Sequence, residues 1–263
     1  MRLPSSAALI LMVCALPALA EKPDEAALQT LWDNQQKETH AQVVQEAAGF
    51  EQRFPASPLV AVARGLGAWH LLESGDFDAA RQLLEKMRAS GGANPAGAMG
   101  AEMARRWLTR LDREQVASAL QAVYAEDLEY PETLAPLAEL PPEKRPPMTD
   151  RWGAAWLYKP AAFKKLQIGD RQTYILQSAT LGDDSDLKHA LARSYGAGFT
   201  FKPVAALPEI GGKAVFAFQD ASGRRVTVSE GASGSDLGLA YLGDTVLILS
   251  NGDYWSLQPR PSS

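Results

Sequence analysis

The chain predicts an α+β protein built from three consecutive parts, and three observations carry that prediction. Residues 24 to 110 are rich in Ala, Leu, Gln and Glu with apolar positions at helical spacing. Residues 119 to 187 pass from a helix through a Pro-rich connector into two short alternating runs. Residues 203 to 258 consist of runs of four to six apolar-alternating residues separated by Gly, Asp and Asn. At 263 residues there is length for two or three small domains, and 46% apolar with 22% charged residues gives enough core-forming side chains to exclude wholesale disorder. The expected division is 1–20, 21–111, 112–196 and 203–263.

Residues 1–20 read as a secretory signal peptide. Arg2 supplies the positive start, Ala7 to Leu16 the apolar centre, and Ala18-Leu19-Ala20 the small-residue cleavage site before Glu21. The only cysteine, Cys14, falls inside it. A lipoprotein reading of Leu11-Met12-Val13-Cys14 would place valine where a small residue is required, so cleavage after Ala20 is preferred. The mature chain would have no thiol and no disulfide. No later run approaches the ~18 apolar residues of a membrane span, so a periplasmic protein without a span is expected. The net charge is −5, and −6 after loss of Arg2, the one charged residue of that segment. Basic residues are not gathered in runs, so nucleic acid is not an expected partner.

The helical part has two breaks, at Phe54-Pro55-Ala56-Ser57-Pro58 and at Gly91-Gly92-Ala93-Asn94-Pro95. Between them Ala68 and Ala80 lie twelve apart, one on each of two helices, with Gly75-Asp76 at the turn. This resembles a tetratricopeptide repeat, in which small residues let two helices approach and the turn glycine takes positive φ. A plain helical bundle is the alternative.

In the middle part Pro131 restricts Tyr130, so the preceding helix must end near Glu129. Pro141 to Pro147 forms an extended connector, and Trp152-Gly153 a turn. Ala154–Tyr158 and Thr173–Ser178 give two strands joined by Leu166–Asp170. The order Tyr130-Pro131, then Asp150, Trp152, Gly153 and Tyr158, resembles the soluble head of the major pseudopilin, the G component, of type II secretion systems. Pseudopilins begin with a polymerising apolar helix, and residues 1–118 lie outside the resemblance. It therefore implies a soluble partner or mimic of pseudopilins and not a fibre subunit. The family carries a calcium loop where this chain has Asp183, Asp184 and Asp186, so the resemblance implies a calcium site there. Carboxylates are the hard donors that calcium takes. Asp183 or Asp184 could equally cap a helix over Leu187–Tyr195.

The last part holds Val215–Phe218 and Arg225–Val228 around Asp220–Gly223, and Thr245–Leu249 and Tyr254–Leu257 around Asn251-Gly252-Asp253. Asn-Gly between apolar runs predicts a tight hairpin whose two turn residues take positive φ. A small β-sandwich or barrel follows. Val228–Gly231, Leu239–Leu249 and Asn251-Gly252 are similar to the periplasmic homology region shared by the C component of type II secretion and the P component of type IV pilus assembly.

No catalytic set is visible. His40, His70 and His189 lack a second histidine or cysteine at ligand spacing, and no nucleophile elbow, phosphate loop or dinucleotide fingerprint occurs. The expected function is a non-enzymatic periplasmic accessory of a type II secretion or type IV pilus-like system, binding pseudopilin, secretin or platform proteins. Tyr254 and Trp255 are candidate partner anchors, with burial in the core as the other reading. The alternatives are a periplasmic repeat scaffold unrelated to secretion, and a carbohydrate binder using Trp152, Trp156 and Tyr158 as a stacking platform.

Overall fold

A computed structural model describes residues 22–92, 94–161, 172–182, 186–196, 199–232 and 237–261. The expected signal segment, the 166–170 connection and two of the proposed calcium ligands, Asp183 and Asp184, lie outside these residues.

Five helices come first: α1 (Pro23–Asn34), α2 (His40–Arg53), α3 (Val60–Glu73), α4 (Phe77–Ala89) and α5 (Pro95–Asp127). Three of the starts, those of α2, α4 and α5, are set by side chains that satisfy free backbone N–H groups. Thr39 and Gln42 form a reciprocal capping box on α2, Asp76 accepts from Ala79 N on α4, and Asn94 accepts from Gly97 N on α5 with Pro95 in the first turn. Helix α3 is apolar around most of its circumference and packs against α2, α4 and α5, so it is the centre of the array. Ala68 and Ala80 are buried, and Gly75 turns the chain between α3 and α4 at φ +80°.

Helix α5 runs for 33 residues without a break at Asp112, so it is about 50 Å long and the expected boundary between residues 111 and 112 falls inside it. Asp112 is 1% exposed and accepts from Arg81 Nη1 at 2.6 Å and from the Arg151 guanidinium, whose Nη1 also reaches Glu85 at 2.6 Å. One carboxylate thus ties α4, α5 and the turn after the Pro-rich connector. The helix ends at Leu128 in the left-handed region, φ +58°, just ahead of the Pro131 stop.

Beyond it lie the short α6 (Ala135–Ala138) and an antiparallel pair, β1 (Trp156–Pro160) and β2 (Tyr174–Ser178), in register from Trp156↔Ser178 to Pro160↔Tyr174. Strand alternation turns Trp156 and Leu176 inward onto Val116, Ala117 and Leu120 of α5, and leaves Leu157 and Ile175 exposed. Every residue of the motif noted in this part fastens the loop. Asp150 accepts from Trp152 N, Ala154 N and Ser178 Oγ, and Gly153 turns at φ +87°. Trp156 Nε1 donates to Pro147 O and Tyr158 Oη to Pro131 O, both at 2.8 Å, while Tyr130 stacks on Tyr124. With Trp156 buried and Tyr158 half-buried, these rings do not make an exposed stacking platform.

The C-terminal part is all β: β3 (Lys202–Ile210), β4 (Lys213–Gln219) and β5 (Arg225–Ser229) form one antiparallel sheet, and β6 (Gly238–Leu242), β7 (Val246–Ser250) and β8 (Trp255–Pro259) another. A bridge at Glu230↔Leu239 links them, and Phe216, Phe218, Leu239, Leu247 and Leu249 fill the space between. The other face of the second sheet packs on the helices through Ala240, Ile248, Tyr254 and Trp255. Strand β7 is therefore buried on both sides, which its unbroken Val246-Leu247-Ile248-Leu249 run reflects. The Asn251 turn departs from the expected two-residue form. Only Gly252 has positive φ, and Asn251 acts through its side chain, accepting from Asp253 N and Tyr254 N. Between the two sheeted parts, α7 covers only Leu187–Leu191, and its cap is Asp186, not Asp183 or Asp184. Leu187 and Ala190 join the helical core and not that of the β1–β2 module.

Packing is close where Trp255 enters the helices: a Cβ built on Gly65 would collide with Trp255 Nε1 and come 2.9 Å from its Cδ1. Gly65→Ala is expected to lower stability by about 1–3 kcal/mol, since even one methyl must displace a fully buried indole. Chemical denaturation of the two proteins measures it; equal midpoints would show that the indole does not sit there.

Candidate interaction surface

Helix α5 and the turn before β8 make the most densely bonded junction in the molecule. Asp253 accepts from Arg106 Nε and Arg110 Nη1, both at 2.8 Å, and its carbonyl accepts from Trp107 Nε1 at 2.9 Å. Burial alone would raise the Asp253 carboxyl, but the Arg110 and Arg106 guanidiniums outweigh it and hold the group below the usual range. Tyr254 packs edge-on against Trp69, Trp107 and Tyr195, and Trp255 N donates to Tyr195 Oη. At 4% and 0% exposure, Tyr254 and Trp255 are not surface anchors for a partner. They fix the β module to the helices, which corrects the partner-contact expectation. The aromatic anchor and charged-pair chemistry of a protein interface is present, but the interface is internal.

A second tie joins the N-terminus of α1 to the β6–β7 turn. Glu25, 1% exposed, accepts from Tyr241 Oη at 2.8 Å and from the Asp244 and Thr245 backbone N–H groups. Burial opposes its charge; the Tyr241 hydroxyl and those N–H groups win, and the carboxyl lies below its ordinary range. Lys22 sits 3.4 Å away.

The remaining candidate residues are structural wherever they are described. Asp186 accepts from His189 N and sits beside His189 Nδ1 as a helix cap. Among the described residues no group of three or more His, Cys, Asp or Glu side chains is placed to hold a metal ion. The calcium question rests on Asp183 and Asp184, which are not described.

Sequence spacing gave no hint of a histidine pair that the fold brings together. His40 at the start of α2 and His70 in α3 place their Nδ1 atoms 2.9 Å apart, with ring centroids 5.1 Å apart. One Nδ1 must donate and the other accept. His70 is 6% exposed, and its Nε2 finds no hydrogen-bond partner among the described residues. Burial, then the neighbouring His40, lowers the His70 pKa from 6.5 to about 4.

Two outward features stand out besides the exposed Leu157 and Ile175 of β1 and β2. A groove of about 560 Å³ lies between the α3–α4 corner, the middle of α5 and α7, with Leu72, Leu111, Leu187 and Leu191 among its walls and Phe77, 43% exposed, at its edge. The β3–β4 hairpin projects from Ala206 to Lys213 with every residue exposed, and carries Leu207 and Ile210. Neither follows a motif. The signal that could have shown the groove is Phe77, an aromatic at the first position of a helix otherwise polar on that side.

Comparison of the chain with protein families, with characterised proteins and with solved structures finds no match. No helix among the described residues is long and apolar enough to cross a membrane.

The His70 pair sets a pH dependence. Unfolded, His70 titrates near 6.5; folded, near 4, so the unfolded chain binds the extra proton between these values. This contribution to stability is complete above pH 6.5 and is lost progressively as pH falls toward 4, by up to roughly 3 kcal/mol. His70→Gln should flatten that part of the stability-against-pH curve in thermal or urea unfolding; an unchanged slope would assign the acid sensitivity to other groups.

Proposed function

We propose that the protein is a periplasmic, non-enzymatic accessory of a type II secretion or type IV pilus-like machine, holding pseudopilin, secretin or platform components together. The observation that carries this reading is the division of labour along α5. Its N-terminal half carries the helical hairpins and the β module, and its C-terminal half carries the small β1–β2 module. A helix leading directly into a compact two-stranded head is the arrangement that the pseudopilin resemblance implies, and here tetratricopeptide-like hairpins stand where a fibre subunit would have its polymerising segment. Leu157 and Ile175 on the outer face of that head, 52% and 54% exposed, are available to a partner. The β module, resembling the C and P component regions, is docked on the helices by its β8 side, so a partner would meet it through β3 and β4.

Crosslinking in the producing cell, followed by capture of the tagged protein and mass spectrometry, tests the proposal. Recovery of pseudopilin, secretin or platform proteins, reduced at least several-fold by Leu157→Asp with Ile175→Asp, is the expected result. Capture of none of them leaves a periplasmic repeat scaffold as the better description.

A further inference from the structure

The groove beside Phe77 and the β3–β4 hairpin both present apolar side chains, and their charges are complementary. The hairpin is a plug: Gly211 and Gly212, both at positive φ, turn the chain tightly, and Ile210, 71% exposed, and Leu207 stand at its end. The groove is a socket with leucine walls, wide enough to take large aliphatic side chains. Apolar surface of this kind left in water on a projecting element calls for a cover.

The charges around each feature fit the other. The socket carries Glu73 and Asp78 at the α3–α4 corner and Lys188 on α7. The plug carries Lys213 and Glu209 on either side of Ile210. None of these five makes a salt bridge among the described residues, whereas the Asp112 and Asp253 carboxylates are each held by two arginines. Partial burial pushes the Glu73 carboxyl upward, with the nearby His40 opposing. Pairing Lys213 with the acidic corner and Glu209 with Lys188 would satisfy both sets at once.

We propose that the hairpin tip of one copy of this chain docks in the Phe77 groove of a second copy. The two surfaces are different patches, so the contact is heterologous: each molecule offers one plug and one socket, and association continues head to tail until a ring closes or concentration limits it. One hairpin tip buries little area, at the small end of specific interfaces, and the dissociation constant is expected on the order of 10 µM. The inference stands apart from the secretion reading, since it names only this chain.

Sedimentation velocity on the purified exported chain, from about 1 to 200 µM, reads it directly. The wild type should grow in mass past a dimer as concentration rises, and more weakly at high salt. Ile210→Asp and Phe77→Asp, both at exposed positions with unchanged circular dichroism, should each be monomeric. An equimolar mixture of these two variants retains one intact plug and one intact socket between them, and should form a dimer and stop there. Lys213→Glu should weaken association at least tenfold, and pairing it with Glu73→Lys and Asp78→Lys should restore it. A wild type monomeric throughout, single variants that associate normally, or a mixture that stays monomeric overturns the proposal. Monomeric wild type together with recovered secretion proteins would remove this inference and leave the proposed function intact; the reverse pattern would do the opposite.

Discussion

The turn Asp253-Tyr254-Trp255 is the constraint on which the arrangement of the protein depends. Three consecutive side chains use three different interactions on the same helices: a carboxylate between two arginines of α5, a phenol ring inside a cluster of indoles, and an indole against the backbone of Gly65. Gly100 also faces that ring, where a Cβ would stand in ordinary van der Waals contact, 3.6 Å from Trp255 Cζ2. A charged pair alone at this depth would barely offset its own desolvation. Combined with an aromatic cluster and close backbone approach, it gives orientation as well as attachment. The second sheet can then be buried on both faces, and the first sheet is left projecting.

Helix α5 transmits this order to the far end of the molecule. One face of its first half contacts α3, α4 and β6, and its second half is the floor of the β1–β2 module. Asp112 sits between the two halves and draws in Arg151 from the loop that leads to β1. The loop is thereby fixed at two adjacent residues, by Arg151 on α5 and by Asp150 on Ser178.

Much of this was legible in the amino-acid order, and the exceptions have physical reasons. Helix breaks at Pro55 and Gly91-Gly92, the turn at Gly75 and the hairpins at Gly223 and Gly252 are local backbone chemistry, which sequence carries directly. Strand β3 was not foreseen as an element because Pro203 and Pro208 interrupt it; the register irregularities at Pro203/Ala205 and Leu207/Ile210 show how the ladder accommodates them. The division between residues 111 and 112 fell inside α5 because Asp112 and Arg113 look like a polar interruption, when Asp112 is a buried ligand for two arginines from elsewhere. Tyr254 and Trp255 carry the composition of an interface, and the sequence cannot say that the other side of it belongs to the same chain. The His40–His70 pair and the Phe77 groove both bring together residues from separate helices, and no spacing rule covers them.

The Gly65–Trp255 contact also bears on how the chain reaches its fold. The two residues are 190 positions apart (255 minus 65), so the notch in α3 stays open until a contact of very long sequence separation is made. Until then α3 presents an apolar slot where the indole will sit. Closing so long a loop is the slow part of such a topology. The contact is a latch between distant segments: without β8 the helices would keep an open apolar slot, which invites association with other unfinished copies.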